Sequence, residues 1–67
     1  MYIEKFANNL KSLIGDKTIT SVAEAIGISQ TTLSRYLNCQ RQIGLENLIK
    51  IALYFDEDLN YLTGMKD

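Results

Sequence analysis

Two short apolar-periodic segments meet at Gly27, and that junction restricts the chain more than any other feature in it. Thr18 stands where a helix N-cap belongs, and Val22, Ala23 and Ile26 follow at spacings that share one helical face. Gly27 then offers a left-handed backbone that stops the helix without steric cost. Ile28 is the apolar residue of the turn, and Ser29 is a second N-cap, opening a helix from Gln30 to about Asn38. Two helices at a fixed angle, joined by a turn of a few residues containing Gly, are the outcome expected for Thr18–Asn38.

The second of these helices has two unlike sides. Leu33 and Leu37 stack on one, with Tyr36 beside them. Thr31, Ser34, Arg35 and Asn38 point roughly the other way, and Gln30 projects from the first turn. That outer side carries amides, hydroxyls and one guanidinium, and no carboxylate. An ordinary solvated face carries Glu and Lys in i,i+4 pairs. Short donors and acceptors with an Arg suit base edges in a DNA major groove, where Gln pairs with adenine, Arg with guanine, and Ser or Thr with either. A merely solvated polar face is the competing reading of the same residues.

The stretch TITSVAEAIGISQTTLSRYLN resembles the helix-turn-helix of the lambda-repressor/Cro-like (Xre-type) family. The match continues through a basic loop, the LENLIKIALYF segment and the DLNYLTG close, so that it covers about residues 6–64. The resemblance implies an all-α, compact five-helix DNA-binding domain. With the outer side of the second helix read as above, Gln30, Thr31, Ser34 and Arg35 are the expected base readers, while Thr18, Thr20 and Ser29 at the helix N-termini are expected at phosphates. The resemblance implies further phosphate contacts from Asn38, Gln40, Arg41 and Gln42, for which an ordinary polar loop is the competing reading. Several positions depart from the family pattern. Ile14 and Leu37 stand where many members have an Arg–Glu pair, an exchange that packed apolar groups tolerate. Ile19 replaces a Gln that touches the DNA backbone, which leaves one anchor fewer. Cys39 stands where Gly is usual, and Ile43 where Pro is.

The 67 residues form one domain, with the helix-turn-helix pair at 18–38 and C-terminal helices within 45–64. At this size only about 60% of the chain's surface is removed from water on folding, so stability should be modest. A hydrophobic content of 46% against 22% charge argues for a folded chain over a disordered one. Residues 2–14 form a first helix with Phe6, Leu10, Leu13 and Ile14 inward, and Gly15 ends it. In the segment Leu45–Phe55, Leu45, Leu48, Ile49 and Ala52 are the expected core stripe, widened by Ile51, Leu53, Tyr54 and Phe55. Asp58 caps a last helix, Leu59–Thr63, closed by Gly64. The acidic run 56–58 is read as that cap with solvated neighbours, ahead of a cation site.

With one cysteine and no histidine, the chain holds no metal set, no cofactor chemistry and no Ser–His or Cys–His pair, so no enzyme is expected. Cys39 is a small residue at a helix end, and a redox role would need a lowered thiol pKa. No signal peptide and no run of about 20 apolar residues is visible, which suits a cytoplasmic protein of a bacterial or phage-infected cell. The net charge of −1 runs against the basic balance usual for nucleic-acid binders. Its distribution matters more. Ala25–Leu45 holds Arg35, Arg41 and no acid, while four of the eight acids lie at or after Asp56.

These readings lead to a sequence-specific DNA-binding regulator, a Cro-like or repressor-like protein of phage or mobile-element type with no small-molecule ligand. One helix-turn-helix reads one half-site, so a homodimer is expected, through a patch of Tyr54, Tyr61, Leu62 and Met65. Those four residues could instead close the small core. The alternative function is a protein-interaction module that keeps the bundle without reading DNA.

Overall fold

The computed structural model describes residues 2–64, all of whose regular structure is helical: α1 Tyr2–Ile14, α2 Ile19–Ile26, α3 Gln30–Leu37, α4 Leu45–Phe55 and α5 Leu59–Thr63. The caps expected from the sequence hold the boundaries. Thr18 Oγ1 accepts the Ser21 N–H, Ser29 Oγ accepts the Thr32 N–H, and Asp58 accepts the Asn60 N–H. Gly27 adopts φ 91° and lets its own N–H and that of Ile28 donate to the Ala23 carbonyl. α2, α3 and α5 are therefore bounded by local chemistry, whereas α4 opens at Gly44 without a side-chain cap.

The core is one cluster drawn from all five helices. Leu10, Val22, Leu33, Ile51 and Leu62 are fully buried, with Phe6, Ile14, Ala23, Tyr36, Leu37 and Ala52 around them. α1 packs on α5 and α3, α2 packs on α3 and α4, and α4 meets α5. The α2–α3 pair is thus wedged between α1 and α4. Ile14 and Leu37 are both buried in the common cluster, so apolar packing fills these two positions. Asn9 Nδ2 donates to the Tyr61 carbonyl at 2.7 Å and ties α1 to the last helix.

Two expectations are corrected. α4 is turned by roughly 60° from the expected stripe at 3.6 residues per turn: Ile51 and Ala52 are buried with Leu48 and Phe55 half-buried, whereas Leu45, Ile49 and Leu53 are exposed. Apolar residues cover more than half of this helix's circumference, so periodicity alone does not choose the inner side. The second correction is Leu62, which has no exposed surface and fills the core beneath α5. It closes the fold and has no side chain to offer a second copy. Met65, expected in the same patch, lies outside the described residues.

Candidate nucleic-acid interface

α3 is held from three directions. Leu33, Tyr36 and Leu37 anchor its inner side, with the Tyr36 ring edge-on to Phe6 at 6.2 Å between centroids. The Tyr36 hydroxyl, carried inward with the ring, accepts a hydrogen bond from Asn47 Nδ2 of α4 at 2.9 Å. A buried tyrosine needs such a partner. The sequence signals the need but not that Asn47 supplies it. At the N-terminus, Ser29 Oγ accepts the Thr32 N–H and also donates to Thr32 Oγ1 at 2.7 Å. Thr32 is therefore part of the cap, a role absent from the sequence reading.

The C-terminal end of α3 is turned by Cys39, whose φ of 58° is left-handed. The Gln40 N–H donates to the Arg35 carbonyl at 2.8 Å, and the Cys39 N–H to the Tyr36 carbonyl at 3.2 Å. This is the Schellman pattern, usually built on Gly. The exposed thiol lies 3.9 Å from the Ile3 carbonyl. The consequence is that the chain after α3 folds back beside the helix instead of leaving it.

Gln30, Thr31, Ser34 and Arg35 come together on the outer side of α3 and line a concavity of about 360 Å³. Gln40, expected at a phosphate, lines the same hollow. Gln42 does not: it borders a separate crevice of about 160 Å³ with Ile3, Phe6, Ile43, Leu48 and Thr63, between α1, α4 and α5. Asn38 and Arg41 are exposed near the end of α3, and Thr20 is exposed in the first turn of α2. The hydroxyl oxygens of Thr18 and Ser29 already serve as caps, and the Ser29 proton is given to Thr32. Among the described residues, Arg35 and Arg41 enter no ion pair; the pair found is Lys50–Glu46 on α4, at 3.9 Å. Both guanidiniums are available to an external anion.

Of the described residues of the expected C-terminal patch, Tyr54 is exposed, Tyr61 is half-buried and Leu62 is buried. Tyr61 is half-buried against the core, and Tyr54 packs edge-on to Phe55 with Lys17 Nζ 5.6 Å from its ring centre. No group of residues able to hold a metal ion occurs among those described, and none of their helices is long and apolar enough to cross a membrane.

Comparison with known proteins gives a helix-turn-helix family model that matches residues 15–62, well over half of the chain. The match begins at the end of α1, takes in α2, α3 and α4, and ends within α5. Neither the curated proteins nor the solved structures give a match. A capped α2, a left-handed glycine corner and a polar-faced α3 locked on a common core agree with that assignment: the chain belongs to the Xre/lambda-repressor-like helix-turn-helix family of DNA-binding regulators.

Proposed function

We propose that the protein is a sequence-specific regulator of Cro or repressor type, which occupies an operator by laying α3 in the major groove. The observation that carries this is the outer side of α3 and the turn after it: four side chains of the helix and Gln40, all amide, hydroxyl or guanidinium, surround one hollow without a carboxylate, on a helix fixed by its buried side. Gln30, Thr31, Ser34 and Arg35 read bases. Thr20, Asn38, Gln40, Arg41 and Gln42 hold phosphates, as do Thr18 and Ser29 at the helix N-termini, where amides favour an anion. Repression follows from covering a promoter. The setting is the cytoplasm of a bacterial or phage-infected cell, with neither cofactor nor small-molecule effector.

The protein acts as a homodimer on DNA. Its longest extent is 27 Å, short of the ~34 Å that separates successive half-sites on one side of the duplex. Two copies are needed to read both. Few phosphate charges are neutralised, so non-specific affinity is modest and its salt dependence shallow.

The second reading is a protein-binding module that does not use DNA, and the exposed aliphatic residues of α4 are what favour it. Selection from random duplex DNA at low salt, with sequencing of the bound pool, separates the two. A two-fold symmetric motif is the expected result, and its spacing gives the distance between reading helices. A single short motif would mean a monomer on DNA. No enrichment from folded protein would overturn the DNA reading.

A further inference from the structure

α4 carries an uncovered aliphatic row. Leu45 is 68% exposed, Ile49 40% and Leu53 77%, and their i, i+4, i+8 spacing aligns them along about 12 Å of helix. The row sits beside the buried side of the helix, next to Ala52, and away from Tyr54. Its outer border is formed by Glu46 and Lys50, which pair within the helix at 3.9 Å. We propose that this row is the seam between two copies of the chain, with α4 packed antiparallel on the partner's α4 about a two-fold axis at Ile49.

The charge pattern points to this occupant. In an antiparallel two-fold packing, like borders of the two helices face each other. Leu45 then meets the partner's Leu53, Ile49 meets its own counterpart, and Glu46 comes within a turn of the partner's Lys50. The border is self-complementary, and both ends of the seam gain an opposite-charge contact. A parallel packing would instead set Glu46 and Lys50 against the partner's Leu48 and Ala52 side, where no charge answers them. The row offers roughly 350 Å² of apolar surface per copy, about the size of the largest patch a monomer ordinarily exposes. Two such rows bury well under the ~1,200 Å² of a stable interface, so the contact is weak and reversible and the dimer forms readily only when DNA gathers both copies. This seam rests on the two-copy reading above and names the surface that serves it.

Sedimentation equilibrium of the full chain, without DNA, from micromolar to millimolar concentration tests the seam. A reversible monomer–dimer equilibrium is expected. Leu53→Lys should weaken it at least about tenfold, because it sets a charge against an apolar partner. Leu53→Ala should weaken it less, and both should keep the helical content and melting temperature of the parent, since the site is exposed. Glu46→Lys should weaken association several-fold, and adding Lys50→Glu should restore it. A chain that stays monomeric at millimolar concentration, or a dimer indifferent to Leu53→Lys, overturns the seam. Failure of the double exchange to restore association overturns the antiparallel arrangement. As no DNA is present, these failures leave the DNA reading standing, whereas a failed DNA selection with association intact removes the operator role of the seam and leaves only the self-association.

Discussion

α3 and α4 lie in the same small bundle, and each turns one side to the core and one to solvent, yet they differ in what the solvent side displays. On α3 it is polar and unlike the inner side in every residue. On α4 it includes Leu45, Ile49 and Leu53, as apolar as the inner row of Leu48, Ile51, Ala52 and Phe55. The difference teaches that hydrophobic periodicity orients a helix only when its outer side is polar enough to oppose the inner one. Where both sides are apolar, the neighbouring helices decide, and the apolar residues left over point to a second surface.

The sharpest way to break the comparison is to truncate one leucine from each kind of site. Leu33→Ala should cost about 2–5 kcal/mol, since its side chain is wholly enclosed, whereas Leu53→Ala should change monomer stability by less than about 0.5 kcal/mol. Chemical denaturation of both variants checks this, and equal losses would mean that α4 is turned the other way. Next in size, Arg35→Ala should cost about 1–3 kcal/mol against the cognate site and relax preference at one base, measured by titration of single-base operator variants. Tyr36→Phe should destabilise by about 1 kcal/mol, because Asn47 loses its acceptor while the packing of the ring remains. Arg41→Ala should weaken all DNA sequences about equally and reduce the slope of log affinity against log salt by about one unit. Smallest, Cys39→Gly should stabilise the fold by about 0.5–1 kcal/mol, as glycine adopts a φ of 58° freely, and a rise in melting temperature would show it.

Much of the fold was legible because the punctuation is local. Thr18, Gly27, Ser29, Asp58 and Gly64 each act within a few residues of themselves, so boundaries could be read without the tertiary structure. The outer side of α3 was legible for a related reason: polar residues are informative on a helix that is apolar elsewhere. What was hidden depends on long-range placement. The Asn47–Tyr36 bond joins residues from two helices, and nothing near Asn47 in the sequence announces it. The burial of Leu62 is not legible, because a short terminal helix gives too few turns to mark an inner side. Gln40 and Gln42 look alike in the sequence, and the left-handed turn at Cys39 sends only the first into the hollow beside Arg35.

One consequence of how α3 is secured concerns how such a protein changes its target. The helix is capped through Ser29 and Thr32 and anchored through Leu33, Tyr36 and Leu37, while the side chains of Gln30, Thr31, Ser34 and Arg35 make no hydrogen bond to other described residues. The groups proposed to read DNA are therefore nearly silent in the folding free energy. New combinations at those four positions can be sampled one mutation at a time without crossing a stability barrier. In a domain this small, where stability is expected to be modest, that separation would leave recognition free to drift while the scaffold stays the same.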